Sequence, residues 1–348
     1  VAACCLALFN LAFSDDNKAK IGAASGCEAV MVALRTHILE AEACCAGCKA
    51  ISILAYKNGQ YKKKFGQLGA CGALVTALKA HQLDPDVTEW GARAVSNLSV
   101  NNSENSSKLG DVGACEAIMH ATWAHVNHSS ATEASCRAIC HLAENSEANT
   151  MKLCNAGACE AILHAMTLHE TKPGVAEWSC RTVFNLCCNE ENNRAKLAAT
   201  GACEALTNTL KKHLSIDGVA EWAVKSIFIL AENNPENRKA LRERGVFDVA
   251  VDVLKAKESL DDLTVPGLWS LLVMSRTHSS VLLTSDVPDP VLCDRLMKAF
   301  KAVDSVPSIA DWGCLAVANL AGNSVVDNVT LGDSGACELV VHSIWSFV

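Results

Sequence analysis

The chain has 348 residues, half of them apolar but only 5% aromatic, enough to bury a large core made mostly of small aliphatic side chains, as helical arrays do. Its formal net charge of -8 and pI near 5.8 disfavour general attraction to nucleic acid or anionic lipid. No apolar run reaches the roughly 18 residues of a membrane span, and no basic segment leads into an apolar stretch and cleavage site, so neither membrane insertion nor a secretory address is expected.

In chain order, residues 1–13 read as one long helix standing alone. From Asn17 to Val326 about seven units of one pattern follow, and residues 328–348 form a trailing pair of helices. The pattern is set by Gly-Ala-Cys-Glu or a near relative at Ser25–Glu28, Gly69–Cys71, Gly113–Glu116, Gly157–Glu160, Gly201–Glu204 and Gly335–Glu338, with a degenerate copy at Gly245–Asp248. Across the middle copies the spacing is 44 residues. Glu89-Trp90, Glu133-Ala134, Glu177-Trp178 and Glu221-Trp222 keep the same period, as do Leu98, Leu142, Leu186 and Leu230, and Tyr61, Asn105, Asn149, Asn193 and Asn237.

Each unit is predicted to hold three helices. In the unit from Asn193 to Asn234, residues 193–200 form a short helix capped by Asn193 and stopped at Gly201, where the backbone must turn left-handed. The second helix carries Cys203, Leu206 and Leu210 on one face, with His213 in its last turn. The third runs from Val219 to Ala231, with Val224, Ile227, Leu230 and Ala231 as its buried stripe, before Asn233-Asn234-Pro235. The unit near 250–300, with Pro266, Pro288 and Pro290, is the poorest copy. Both ends cut through the repeat on apolar residues, Val1–Leu6 and Val340–Trp345. The expectation is a fragment of a longer chain whose ends are covered by further repeats or partners.

A short, a medium and a long helix per unit, with Gly between the first two and endings such as Asn10-Leu11-Ala12, Asn97-Leu98-Ser99, Asn185-Leu186-Cys187 and Asn319-Leu320-Ala321, resembles the armadillo repeat family over essentially all residues. The resemblance implies an all-α, right-handed superhelical solenoid, a single array over 1–348. The Glu-Trp and Gly-Ala-Cys-Glu phrasing looks like the armadillo regions attached to some kinase–GTPase proteins and to many protist proteins. In armadillo proteins the third helices line a concave groove, and the Asn of the ending bonds the backbone of an extended peptide. That implies Asn97, Asn185 and Asn319 as partner contacts, with His141 and Ile229 interrupting the column.

In the importin-α-like subgroup a Trp stands four residues before that Asn. Here the position holds Lys49, Arg93, Arg137, Arg181 and Lys225, then Trp269 and Leu315. A basic row in place of the Trp row argues against nuclear-localisation signals and for an acidic or mixed partner, because guanidinium forks pair with carboxylates. Four residues earlier stands a Glu: Glu89, Glu133, Glu177 and Glu221. Each unit thus presents a Glu-Arg-Asn track along one helix face. The track serves either a ligand or a ladder of internal ion pairs, each worth about 0.2–0.5 kcal/mol.

Two further columns have plainer readings. Cys27, Cys71, Cys115, Cys159, Cys203 and Cys337 fall where a small buried hydrophobe is wanted. The 19 cysteines fit a reducing, cytoplasmic setting without disulfides. Cys44-Cys45-Ala46-Gly47-Cys48 contains a CxxC but no second pair at zinc spacing, so no metal is expected. His37, His81, His125, His169 and His213 end successive second helices, where an imidazole satisfies terminal carbonyls and complements the dipole. No phosphate-cradling Gly loop, paired carboxylates or nucleophile elbow occurs, so neither catalysis nor a cofactor is expected. The leading expectation is a non-catalytic scaffold gripping a protein segment through Arg93, Asn97, Arg137, His141, Arg181, Asn185, Lys225, Trp269 and Asn319. A structural part of a cytoskeletal, ciliary or organellar assembly and the regulatory arm of a multidomain kinase–GTPase are the alternatives.

Overall fold

Nine-, eleven- and fifteen-residue helices recur in that order, and each length follows from its punctuation. The computed structural model describes residues 1–188, 191–232, 234–246, 249–250, 252, 290–303, 313–314, 316–318, 321 and 325–347. They belong to two compact units, Val1–Asn193 and Arg194–Val348, and every regular element among them is helical.

The first unit opens with α1 (Ala2–Leu11), a lone long helix. Four triplets follow: α2 (Asp15–Ala23), α3 (Gly26–Thr36) and α4 (Ala41–Ala55); α5 (Gly59–Gln67), α6 (Ala70–Ala80) and α7 (Pro85–Ser99); α8 (Ser103–Asp111), α9 (Ala114–Ala124) and α10 (Ser129–Ala143); α11 (Glu147–Asn155), α12 (Ala158–Leu168) and α13 (Pro173–Cys187). The long helices stack one on the next, α1 on α4, α4 on α7, α7 on α10 and α10 on α13. Leu34, Ile51, Leu74, Leu98, Ile118, Leu142, Ile162 and Leu186 are fully buried between the layers. Each such side chain contributes about 1.5–3 kcal/mol relative to exposure.

The short helices begin at side-chain caps. Asn58 Oδ1 accepts from Tyr61 N (3.0 Å), Asn102 Oδ1 from Asn105 N (2.9 Å) and Ser146 Oγ from Asn149 N (3.3 Å). The medium helices begin after a left-handed residue, Gly69, Gly113 and Gly157 with φ of 76°, 85° and 90°. Asp84 opens α7 by accepting from Asp86 N and Val87 N, with Pro85 in the first turn.

The second unit repeats the pattern in α14 (Glu191–Ala199), whose first turn falls at the unit boundary, α15 (Ala202–Lys212), α16 (Asp217–Ala231) and α17 (Pro235–Glu243). Three later helices are α18 (Pro290–Val303), α19 (Val325–Asp333) and α20 (Ala336–Phe347). The third helix of the 193–234 unit starts two residues before the predicted Val219. Its short helix starts at Glu191, not at Asn193. Asn193 lies inside the first turn, and its Nδ2 donates to the Leu186 carbonyl at 2.9 Å, so it is a tie to the preceding long helix and not the cap.

The same tie recurs between layers. Asn105 Nδ2 donates to Lys62 O (2.9 Å) and Leu98 O (3.2 Å); Asn149 Nδ2 donates to Ser106 O (3.1 Å) and Leu142 O (3.0 Å). Tyr61 takes the equivalent place, its hydroxyl donating to Lys18 O at 2.8 Å.

The histidine column differs from the expectation in a related way. His81 Nε2 lies 2.8 Å from Ile38 O, His125 Nε2 3.0 Å from Gln82 O and His169 Nε2 2.6 Å from Val126 O. A carbonyl only accepts, so each Nε2 carries the proton. The acceptor lies in the turn one repeat earlier and not in the imidazole's own helix, which makes the column an inter-repeat staple.

None of the 19 cysteines is in a disulfide. Cys27, Cys71, Cys115, Cys159 and Cys203 are buried as expected, whereas Cys337 is exposed. In the buried copies the next short helix lies over the thiol, Cys71 Sγ being 4.0 Å from Asn105 O and Cys115 Sγ 3.9 Å from Asn149 O.

Candidate functional site

The long helices of the first unit carry the predicted residues at positions that the stacking brings side by side. Arg93 and Asn97 are on α7, Arg137 and His141 on α10, and Arg181 and Asn185 on α13. Lys225 is on α16, in the second unit. Trp269 and Asn319 lie outside the described residues.

The two asparagines turn inward along the stack. Asn97 is 4% exposed; its Nδ2 donates to Ser52 O (2.9 Å) and Ser52 Oγ (3.0 Å), and its Oδ1 accepts from Arg137. Asn185 Nδ2 donates to Cys140 O at 2.9 Å and lies 3.3 Å from Cys140 Sγ. Each amide, in the last turn of its own long helix, is therefore accounted for by a bond to the last turn of the preceding one. His141 is half-buried, its Nδ1 3.2 Å from Glu144 Oε2.

The cations are half-buried, and most have a carboxylate one turn back. Arg93 Nε donates to Glu89 Oε1 at 3.1 Å and Arg181 Nη2 to Glu177 Oε1 at 2.6 Å. Lys225 pairs with Glu221 in the same manner.

Arg137 is different. Its i-4 acid, Glu133, is drawn to the first turn of α13, so close to Gly174 that a Cβ there would collide with the carboxylate. That places the negative charge at a helix N-terminus. Among the described residues no carboxylate lies within ion-pair distance of Arg137: Nη2 donates to Asn97 Oδ1 at 2.9 Å, and Nε is buried without a hydrogen-bond partner. Burial, together with the charge of Arg93, holds Arg137 below the usual guanidinium range. A desolvated cation beside other cations is what an incoming anion stabilises.

Aromatic rings complete the arrangement. Trp90 lies 5.3 Å from Lys49 Nζ and 5.4 Å from the Arg93 guanidinium carbon; Trp178 lies 5.1 Å from that of Arg137 and 4.7 Å from that of Arg181. Each tryptophan is thus shared by the cations of two successive repeats. Lys225 Nζ is 4.5 Å from the Trp222 ring in the second unit. Such contacts are worth about 0.5–2 kcal/mol each and hold long side chains in place. His141 meets the Trp178 ring edge-on at 5.3 Å. At Ala134 the tryptophan column is interrupted, between the layers of Arg93 and Arg137.

The GAC ARM domain family matches residues 1–282. The chain belongs to that family. One engineered protein superposes on this GAC ARM domain with a TM-score of 0.62 at 18% identity, over 72% of this chain and 96% of the other. A designed armadillo repeat protein in complex with the peptide (KR)4 gives 0.59 at 19%, over 71% and 98%. Computationally designed armadillo repeat proteins for modular peptide recognition give 0.59 at 18%, over 71% and 100%. At these identities the likeness shows the fold, an armadillo-type α-solenoid. No curated protein is similar in sequence. No described helix of this armadillo domain is long and apolar enough to cross a membrane, and no group of three potential metal ligands occurs among the described residues.

What the sequence reading left out of the site is the tryptophans. Trp90, Trp178 and Trp222 mark the repeat in the sequence, but their place under the basic row follows from helix geometry: three residues before a cation is the same face, one turn back. Their spacing to Arg93, Arg181 and Lys225 was the available signal.

Proposed function

We propose that the face formed by α7, α10 and α13 binds an extended, acidic segment of a protein partner, with Arg137 as its anchor and Arg93 and Arg181 flanking it. The armadillo repeat fold is typically a non-enzymatic, protein-binding scaffold, and long stacked arrays suit extended ligands. The observation that carries the acidic reading is Arg137: a half-buried guanidinium with an unpartnered Nε, fixed on Trp178 and Asn97, while its own glutamate serves another helix. A carboxylate at this point gains a charge-assisted donor from the guanidinium without disturbing the neighbouring ion pairs. Asn97 and His141 hold the guanidinium and its ring platform, and Asn185 ties α13 to α10. Lys225 with Glu221 and Trp222 offers the same local chemistry in the second unit.

The test uses two labelled peptides of opposite charge, (DE)4 and (KR)4, in anisotropy titrations at low and moderate salt. Wild type is expected to bind (DE)4 in preference to (KR)4. The variant Arg137→Gln is expected to weaken (DE)4 binding by about tenfold or more, in line with loss of one charge-assisted contact of about 1.5–3 kcal/mol, with helicity unchanged by circular dichroism. Preference for (KR)4, or (DE)4 binding indifferent to Arg137→Gln, overturns the reading.

A further inference from the structure

One position per repeat behaves as an internal comparison. It holds Lys62, Ser106, Thr150, Arg194 and Arg238, spaced by the repeat period, each the residue immediately after a short-helix tie. Lys62 is buried, and its Nζ donates to the carbonyl of Val100 at 2.6 Å. Arg194 makes the corresponding contact, Nη1 to Glu232 O at 3.1 Å, and also lies 3.5 Å from the Glu232 carboxylate. In both cases a long basic side chain crosses from a short helix to the chain leaving the next long helix, where carbonyls need donors.

The copy at Ser106 lacks the cation but keeps the acceptors. The residue corresponding to Glu232 is Glu144, one repeat period and its double away from Val100 and Tyr56 in the same column. Where the column carries Thr150, the corresponding residue is Cys188, so no carboxylate is left behind. At Ser106 a polar cavity of about 450 Å³ remains, lined by Ser99, Asn102, Ser106, His141, Glu144 and Ser146 among others. The Glu144 carboxylate turns to His141 Nδ1 at 3.2 Å, and the Glu144 carbonyl has no donor among the described residues. Ser106 Oγ faces Asn149 Nδ2 at 3.2 Å and is too short to reach across.

We infer that this cavity, between α8 and the C-terminal end of α10, receives an arginine or lysine side chain of a partner protein, seated on the carboxylate and carbonyl of Glu144 where Lys62 and Arg194 serve the equivalent places from within the chain. A guanidinium or ammonium fits the site because the fold already accommodates each of them at an equivalent position. The cavity and Arg137 lie on one helix, seven residues or about 10 Å apart along its axis, so a partner bearing both charge signs can engage them together. Arg181 and Lys62 are near enough to help keep the Glu144 carboxyl ionised, after its bond to His141. They also oppose a second positive charge, so the subsite depends on direct contact of a seated cation with the Glu144 carboxylate and carbonyl and not on bulk attraction.

The experiment follows the amide resonances of Ser106, His141 and Glu144 while a capped Gly-Gly-Arg-Gly-Gly peptide is titrated into the full chain. The controls are the same peptide with citrulline for Arg, and spermidine. The Arg peptide is expected to shift these resonances saturably and the citrulline peptide at least fivefold more weakly. Glu144→Gln is expected to weaken binding fivefold or more. Ser106→Arg, which supplies the cation internally, is expected to abolish binding while keeping or raising Tm. Equal effects of Arg and citrulline, undiminished binding to Ser106→Arg, or binding of spermidine alone overturn the proposal, the last in favour of a free small cation. The result does not depend on the acidic reading of Arg137, because Arg137→Gln leaves the cavity lining intact and is expected to leave the Arg-peptide shifts unchanged.

Discussion

Gly110 and Asn149 form a pair that the repeat keeps together across layers. A Cβ at Gly110 would fall well inside contact distance of Asn149 Oδ1, and Gly66 stands in the same relation to Asn105. The glycine lets the asparagine reach two carbonyls at once. Replacing Asn149 by Ala is expected to cost about 1–3 kcal/mol, since two buried acceptors lose a donor. Gly110→Ala is expected to cost about 1–3 kcal/mol in the wild type by overpacking, but to be neutral or stabilising in the Asn149→Ala background, where the obstacle is gone and alanine is the better helix former. Urea unfolding of the four proteins in this cycle checks it, and additive effects would contradict the pairing. Asn149 was legible as a repeat marker. Its partner was not, because Gly110 lies 39 positions away with nothing in the intervening sequence to link the two.

At the scale of the element, the turn between short and medium helices rests on one dihedral angle. Gly201 has φ of 100°, and nothing lies within 4 Å of a Cβ built there. Substitution therefore tests backbone strain alone. Gly201→Ala is expected to cost about 1–2 kcal/mol, and Gly201→Asn less, because asparagine tolerates the left-handed region. The comparison is made by thermal melting; equal losses for the two would indicate a steric cause instead. This turn was readable in advance, since a glycine at a fixed period between two apolar stripes has few other uses. The short helix begins at Glu191, two residues before the predicted Asn193, for a related reason. Asparagine is a good cap and a good side-chain donor, and only the position of the Leu186 carbonyl shows that Asn193 acts as the second.

Across the whole molecule, the buried thiols whose ionisation is held back by burial are expected to weaken the fold at alkaline pH. Burial pushes Cys27, Cys45, Cys71 and Cys203 up to about 11, and Cys115, Cys136 and Cys140 up to about 12. An unfolded thiol ionises near 8.5. As the pH rises past that value the unfolded chain releases protons that the folded chain retains, so unfolding becomes easier with pH. The stability is fully present below about pH 8.5 and is lost progressively towards the folded-state values. Urea midpoints under reductant are expected to fall steadily from pH 8 to pH 10, and less steeply in a Cys115→Ala, Cys136→Ala, Cys140→Ala triple variant. A midpoint independent of pH in this window would show that the thiols do not titrate on unfolding.

The order and kind of helices, the turns at the glycines, the buried cysteine column and the membership of an armadillo-type array were all determined by the sequence alone. Each depends on local chemistry repeated at a fixed period: a cap, a left-handed glycine, an apolar stripe. Tertiary structure decided which of the repeated polar residues are tied within the fold and which are left with bonding capacity. The Glu-Arg-Asn track reads identically at Glu89-Arg93-Asn97 and Glu177-Arg181-Asn185, and Glu133-Arg137 looks like another copy. Yet Glu133 alone is diverted to the next helix, which leaves Arg137 without its carboxylate. The cavity at Ser106 has the same origin. A serine in place of a lysine is unremarkable in one sequence position, and becomes a site only where stacking sets it opposite Glu144. The physical reason is that pairing of polar groups is settled by contacts some 40 residues apart, between layers whose side-chain directions no single repeat specifies.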